Sequence, residues 1–512
     1  MGQSHRKALP GRSMAEAITG RRPAGKRVVV IGAGIGGLSA AIAMASAGLR
    51  VTLIERESAP GGKMREIRIG DSKIDSGPTV LTMRGVFEEL FANAGEHFAE
   101  HVPHSRLEVL ARHSWLDGGR LDIFSDLEQT VSAVAEFAGA READAYRKFA
   151  GRSQTVFEAL DQPFMRAEKP GPAGLVRAMG IGGFSRLLTA SPYRSLWNEL
   201  GRIFHDPRLR QLFGRYATYC GSSPFEAPAT LMLIAHAERA GVWAIEGGMQ
   251  RLAEALSALA VRKGVVIHYG SKVEEIIVQD GSAKGAELDD GRIVHADAVV
   301  FNGDIAALSR GLLGRGTNAS VPDRKDEPRS LSAVTWSLVG ECKGFPLSYH
   351  TVFFGEDYED EFSSLFDHQR ICRAPTVYVC ARDWKPGRRS GDSQRLFVIV
   401  NAPARELDDD EVGRATADCF NMLGRHGLDI SCAPDRQVVT TPGDFARRFP
   451  GSDGALYGWP THGAMGSFKR QGSRSQIPGL YLAGGTVHPG PGIPMAALSG
   501  RLAASSVLAD LA

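Results

Sequence analysis

Apolar positions along this chain change their period from one segment to the next, and each period predicts an element. Arg27 to Ile31 reads RVVVI, a β-branched run; Gly32-Ala33-Gly34 breaks it, an alanine-rich stretch follows, and Val51 to Glu55 resumes strand character. That succession is the pattern of a βαβ unit. Met249, Leu252, Leu256 and Leu259 recur at helical spacing and predict a helix with one core-facing stripe. Between Gly264 and Asn302 the runs VVIHY, KVEEIIV, KGAEL and ADAVVFN are punctuated by Asp280-Gly281 and Asp290-Gly291, which predicts a compact antiparallel meander. Residues 125–235 read as mostly helical. Residues 330–442 carry strand-like runs (AVTWSLV, TVYVC, RLFVIV, RQVVTT), one helix near 411–424, and an acidic run from Glu356 to Glu361 that reads as a solvated loop. Near the end, Leu480 to Ala483 is a strand, Gly484-Gly485-Thr486 a turn, and a rigid Pro/Gly loop leads into a helix from about Pro494.

Composition adds bounds. With 512 residues, 43% of them hydrophobic, the chain can bury a large core and is long enough for two domains. Sixty basic and fifty-eight acidic residues leave a net charge of +2, which gives no whole-molecule attraction to nucleic acid. The cysteines Cys220, Cys342, Cys372, Cys380, Cys419 and Cys432 form no C-x-x-C pair and no metal-ligand spacing, as expected of a reducing compartment and of a protein without a metal site. The first twenty-six residues, basic and glycine-rich without an apolar stretch, read as a disordered lead-in. Val28 to Leu49 is free of charge and long enough for a membrane span, but Gly32, Gly34, Gly36, Gly37 and Gly48 interrupt it, and the βαβ reading accounts for it better.

In that unit Gly32 permits the tight turn, Gly34 lets backbone N–H groups approach a pyrophosphate, and Gly37 lets helix and strand pack closely. Glu55, at the end of the second strand, can accept hydrogen bonds from a ribose diol. This half-site serves NAD and FAD alike. No second strand, GxGxxG and helix follows, so a separate nicotinamide domain is not expected.

After Glu55 and Arg56 comes Gly61-Gly62-Lys63-Met64-Arg65. The pattern running from Gly32 and Gly36 through Ala41, Gly48, Val51 and Glu55 to Gly62 resembles the N-terminal fingerprint of the flavoprotein superfamily that includes amine oxidases and carotenoid desaturases. The resemblance implies an α/β and α+β protein that binds FAD, with Arg56, Lys63, Met64 and Arg65 near the cofactor and Val273 beside the adenine. It further implies a discontinuous Rossmann-like FAD domain (27–110, 236–310 and 455–512) and a substrate domain of mixed sheet plus helices (111–235 and 311–454).

The tail narrows the likeness. His488-Pro489-Gly490, Gly492-Ile493-Pro494-Met495, Ser499 and Gly500 resemble carotenoid desaturases of the bacterial phytoene-desaturase type, as do DPRLRQLFGRYATYCGSSPFEAPAT (206–230) and ALYGWPTHG (455–463). GPGIPMAA and RYATYCG look most like the branch that introduces a 3,4 double bond into acyclic 1-hydroxy or 1-methoxy carotenoids. The resemblance implies that the last helix aims its N-terminus, roughly half a positive charge, at the flavin ring. Many relatives carry Gly-Asp where this chain has Gly484, Gly485 and Thr486, so that contact falls to backbone or to the Thr486 hydroxyl. Hydride transfer to the flavin is the implied step, and His488 is the candidate acid or base.

A polyene of about forty carbons would cost on the order of 30 kcal/mol to place in water, so the substrate is expected to come from a bilayer. The implied enzyme is peripheral on the cytoplasmic membrane face and passes electrons to an acceptor such as quinone or oxygen. Residues 166–210 carry eight basic and three acidic side chains among Leu175, Val176, Met179, Ile181, Phe184, Leu187, Leu188, Tyr193, Leu196 and Trp197, and Arg177, Arg186 and Arg194 are the expected lipid contacts. A multi-step phytoene desaturase, a flavin-dependent cis–trans isomerase and an amine oxidase remain open alternatives.

Overall fold

The computed structural model describes residues 25–188, 191–385 and 393–512. The lead-in falls almost wholly outside them. Five parallel strands form one sheet, in the order Leu480–Leu482, Ala298–Phe301, Arg27–Ile31, Arg50–Ile54 and Val266–His268. The helix Ile35–Ser46 joins the first two strands in sequence, and its Leu38, Ile42 and Met44 are fully buried. Each such side chain removed from water contributes about 1.5–3 kcal/mol. The charge-free run 28–49 is therefore strand and helix of a globular core, and no helix among the described residues is long and apolar enough to cross a membrane.

A larger mixed sheet runs Leu428–Ser431, Ser332–Gly344, Ser393–Ala402, Val377–Ala381, His350–Phe353, Val109–Ser114 and Arg120–Phe124, with Gln437–Thr440 also paired to Ser332–Gly344. Helices drawn mainly from residues 127–240 lie outside both sheets in sequence. The architecture is α/β with α+β, as expected.

Three expectations need correction. The meander holds only Val273–Gln279, Ser282–Leu288 and Ile293–His295; Val266–His268 and Ala298–Phe301 belong to the parallel sheet. Ala298–Phe301 is buried at every position, the continuous apolar run of a parallel strand rather than the alternation of a one-faced one. The acidic run is no loop. Asp357 caps the helix Tyr358–Phe366 by accepting from the Asp360 N–H at 2.9 Å, and Glu359, Asp360 and Glu361 occupy its first turn, where the helix dipole favours them. Tyr358, Phe362 and Leu365 form its buried stripe, and Glu361 is buried with them, accepting from Thr376 Oγ1 at 2.6 Å while burial pushes its carboxyl up to about 7.

The expected basic surface is also smaller than its composition. Arg166 pairs with Glu89 and Asp161, Arg208 with Asp117 and Asp206, and Arg194 with Glu199, while Arg210 stacks on Trp197 at 4.0 Å. Leu175, Leu187 and Leu196 are buried. Val176, Arg177 and Tyr193 are exposed; the side chains of Ile181, Phe184, Arg186 and Leu188 lie outside the described residues.

The first and last helices, Ile35–Ser46 and Ile493–Leu511, meet backbone to backbone. A Cβ on Gly500 would lie 2.0 Å from the Gly36 carbonyl oxygen, and one on Gly36 would lie 2.9 Å from the Gly484 nitrogen and 3.1 Å from the Ala496 oxygen. Gly500→Ala is expected to destabilise the protein by about 3 kcal/mol in urea unfolding, the upper part of the overpacking range, because backbone cannot yield as a side chain can. Gly413→Ala, in the exposed middle of Asp409–Arg425 with nothing within 4 Å, should be neutral or gain up to about 1 kcal/mol. Equal urea midpoints for the two variants would contradict the helix contact.

Candidate functional site

The first glycine turn is fastened from below. Gly32, at φ +99°, donates its N–H to the Ile54 carbonyl at 2.8 Å, and Asn302 Nδ2 donates to the Gly32 carbonyl at 3.1 Å. A Cβ on Gly37 would lie 2.0 Å from that same carbonyl oxygen. Gly34 is the helix N-cap and supplies no side-chain cap, so the N–H groups of the first turn face outward. The Gly61-Gly62 turn seats on this loop: Gly61 N–H donates to the Ala33 carbonyl at 2.9 Å, and a Cβ on Gly62 would stand 3.3 Å from Gly34 Cα.

Glu55 lies at the strand end with both oxygens in use, accepting from Ala33 N–H at 2.6 Å and Glu57 N–H at 2.9 Å. Burial raises its carboxyl above the usual range, and those two N–H groups oppose the shift. Val273 is buried in the cluster that holds Ile31 and Ile54. Arg56 turns to the surface, where it donates to the Arg447 and Arg448 carbonyls and lines a cleft of about 540 Å³ with Glu57, Lys272 and Asp444.

Met64 is buried, while its neighbours carry charge inward. Lys63 Nζ donates to the Leu456 carbonyl at 2.5 Å and lies 5.4 Å from the Phe449 ring. Burial pushes its ammonium down to about 8; Asp304 opposes this, and the charges of Arg329 and Arg470 add to it. Arg65 Nη2 donates to Thr440 Oγ1 at 3.1 Å, its Nε has no partner, and burial followed by Arg448 pushes it down to about 10.

The C-terminal turn closes over the same place. Ser499 Oγ accepts from the Gly484 N–H at 2.7 Å, and the Asn302 amide lies within 3.0 Å of where a Gly484 Cβ would be. Thr486 is engaged within the chain, accepting from Ile305 N–H and donating to the Gly303 carbonyl, each at 3.4 Å. Around Gly492 there is open space: a Cβ there would meet nothing within 4 Å, and one on Gly485 would meet only Pro491 Cα at 3.7 Å. The helix beginning Ile493-Pro494 has no side-chain cap, and half-buried Met495 lies in its first turn. His488 is buried. Its Nε2–H donates to the Phe164 carbonyl at 2.8 Å and the Ala167 carbonyl at 3.2 Å, its Nδ1 has no partner, and burial lowers its pKa against the pull of those two carbonyls.

Two residues that the sequence reading passed over hold the site together. Asn302 ends a strand and touches both glycine turns. Arg470, fully buried, donates to the carbonyls of Tyr457 at 3.2 Å, Gly485 at 3.4 Å and Trp459 at 3.0 Å. Nothing in the local sequence signals either, since their partners come from other segments.

These residues fit a dinucleotide. Lys63, Arg329 and Arg470 gather around Asp304, with Asp453 also 3.7 Å from Arg329 Nε, and Arg329 Nη1 has no partner. That surplus of buried positive charge suits a diphosphate, and the uncapped helix start beyond Gly492 opens where a flat ring can lie. Fold and site thus define a dinucleotide-dependent oxidoreductase of the α/β class.

The chain belongs to the family of flavin containing amine oxidoreductases, whose pattern matches residues 35–508, and its cofactor is FAD. It is similar to the hydroxyneurosporene desaturase of Rubrivivax gelatinosus, 47% identical over 95% of this chain and 94% of that protein. It is likewise similar to the hydroxyneurosporene desaturase of Cereibacter sphaeroides, 46% identical over 95% and 98%. Among solved structures, putrescine oxidase bound to putrescine shares the fold at a TM-score of 0.59 and 15% identity, covering 94% of this chain and 99% of that one.

Proposed function

We propose that this protein is an FAD-dependent carotenoid desaturase that introduces the C-3,4 double bond into acyclic 1-hydroxy or 1-methoxy carotenoids. The observation that carries the reading is the 47% identity to a hydroxyneurosporene desaturase across nearly both full lengths. Bound FAD supplies the oxidant, taking the two electrons given up, with a hydride and a proton leaving carbon, when a C–C single bond becomes double.

The chain's own residues do the rest. In this reading the N–H groups opened by Gly32, Gly34, Gly36 and Gly37 hold the diphosphate, Gly62 brings the second turn against it, and Lys63 and Arg65 add positive charge. Glu55 turns from the Ala33 N–H toward the ribose, Val273 backs the adenine, and Arg56 stands at that end. Gly484, Gly485 and Thr486 lie along the ribityl chain, and Gly492, Ile493, Pro494 and Met495 present the helix start to the ring. His488 ties the ring-facing loop to the Phe164–Ala167 segment through Nε2 and leaves Nδ1 as the one nitrogen that can take a proton.

The parallel sheet with its flanking helices forms the FAD domain and the larger mixed sheet the wall of the substrate domain. Substrate enters from a bilayer on the cytoplasmic side through the surface bearing Val176, Arg177 and Tyr193, and the electrons pass on to quinone or oxygen.

Purified holoenzyme should convert 1-hydroxyneurosporene, with chromatography showing a product lighter by two hydrogens; conversion of phytoene alone would overturn the reading. His488→Gln keeps an N–H donor and removes the base. Its kcat is expected within about tenfold of wild type if the ring positions the loop, against a loss of about 10²–10⁴ for a lost acid–base group.

Lys63→Met should weaken FAD binding by about 10–100-fold, the worth of one charge-assisted hydrogen bond. In the free protein this ammonium titrates at about 8. A diphosphate raises that value, so binding takes up a proton above pH 8 and wild-type affinity should fall as pH rises from 7 to 9.5. The variant should lose that slope; an unchanged slope would remove Lys63 from the phosphate site.

Arg177→Glu combined with Val176→Asp should reduce sedimentation with phosphatidylglycerol liposomes in low salt. Unchanged sedimentation would move the docking surface elsewhere.

A further inference from the structure

Away from the glycine turns, the chain buries a second group of charges that the reading above does not use. Arg215, the first residue of the 3₁₀ turn Arg215–Cys220, is half-buried; burial opposes its charge, but Tyr219, Glu238 and Tyr216 together hold the guanidinium above its usual range. Among the described residues its guanidinium donates one hydrogen bond, to Tyr219 Oη at 3.4 Å, and its Nε–H has no partner. Tyr219 and Tyr216 both donate to the Glu238 carboxylate, at 2.5 and 2.7 Å. Facing this group from the large sheet, His350 Nδ1 and Thr79 Oγ1 each lie 2.6 Å from Tyr378 Oη. His350 Nε2 is buried without a partner. The two halves are neighbours: burial and then the Arg215 charge push the His350 imidazole down to about 3, and the Tyr219 phenol is among the groups, after burial, that raise Tyr378.

The group also borders the cofactor site on two sides, near Lys63 and near the Gly485 turn. Thr79 follows Gly77, where a Cβ would lie 2.1 Å from the Lys63 carbonyl oxygen. Tyr219 precedes Cys220-Gly221, where a Cβ would lie 2.4 Å from the Tyr457 ring; Tyr457 in turn shares Arg470 with Gly485. The Arg215 Nε–H and the His350 Nε2 are both buried without a partner, and polar atoms left so in an interior are costly unless something polar reaches them. An apolar polyene cannot. An alcohol or ether oxygen can, and in a 1-hydroxy or 1-methoxy carotenoid that oxygen sits two carbons from the bond to be oxidised.

We infer that Arg215, held by Tyr219 and Glu238, with His350 opposite, binds the C-1 oxygen of the substrate and thereby selects the oxygenated end for desaturation. The inference rests on the hydroxycarotenoid reading above. A hydroxyl can accept from Arg215 and also bond to His350 Nε2; a methoxy oxygen can only accept, so Arg215 is the element common to both.

The test is the ratio of kcat/KM for 1-hydroxyneurosporene to that for neurosporene, which lacks the oxygen, measured on FAD-loaded full-length enzyme. A site built around a buried donor discriminates strongly against the analogue that leaves it unpaired, so the wild-type ratio should be at least about 100. Arg215→Met should lower the ratio about 100-fold, and Arg215→Lys, which keeps the charge without the planar fork, by at least about tenfold. Proportional loss on both substrates, with flavin still bound, would overturn the inference and make Arg215 a packing residue. If neither variant retains flavin, His350→Phe is read in the same way, with a fall of about tenfold in the ratio expected and an unchanged ratio overturning the inference. Wild-type enzyme that converts phytoene but not 1-hydroxyneurosporene would instead sink the functional reading on which this one stands.

Discussion

The structure depends on one close approach, the backbone of Gly36 against the backbone of Gly500. Helices normally keep their axes apart by the width of their side chains; here neither residue has one, and the start of the first helix is pressed to the last. Because Ser499 is the neighbour of Gly500, that approach also delivers its hydroxyl to the Gly484 N–H at 2.7 Å. Asn302 then bridges the two turns. A glycine turn from the start of the chain and another from its end become one surface, and neither can move without the other.

That surface is electrostatically incomplete by itself. Lys63, Arg329 and Arg470, three cations, meet two acids, Asp304 and Asp453, and burial holds the Lys63 ammonium at about 8. Buried charge without a counterion opposes folding. On the reading proposed above, a bound diphosphate offsets that cost, which couples cofactor binding to stability. Arg470 has a second task, since its hydrogen bonds to the carbonyls of Tyr457, Trp459 and Gly485 tie the C-terminal glycine turn to the Tyr457–Trp459 segment.

What the sequence made legible follows the range of the interactions concerned. The first βαβ unit is specified by short-range turns, Gly32 N–H reaching the Ile54 carbonyl and Gly61 N–H the Ala33 carbonyl, and the last strand, turn and helix by a Pro/Gly loop with few alternatives; both read correctly. The meander was misread at its two ends because Val266–His268 and Ala298–Phe301 pair with strands from the other end of the chain. Glu356 to Glu361 was misread because its charges hid the stripe Tyr358, Phe362 and Leu365. The basic segment 166–210 looked unpaired because the acids that meet it, Glu89 and Asp117, precede it by many residues. Asn302 and Arg470 were invisible for the same reason: their importance lies in carbonyls that only the folded chain brings near.

Burying a long polyene provides a large but undirected gain. Each methylene contributes about 0.8 kcal/mol wherever it lies, so the two ends of a nearly symmetric chain are worth almost the same to an apolar tunnel. Hydrophobic burial can therefore hold such a substrate without deciding which bond meets the flavin. Direction must come from groups whose energy depends on position, and in an interior those are hydrogen-bonding groups left short of partners. Arg215 and His350 are such groups, and Arg215 borders the Gly485 turn through Gly221 and Tyr457. Their incomplete bonding lowers the stability of the empty protein, and an oxygen placed between them restores it in only one orientation of the chain.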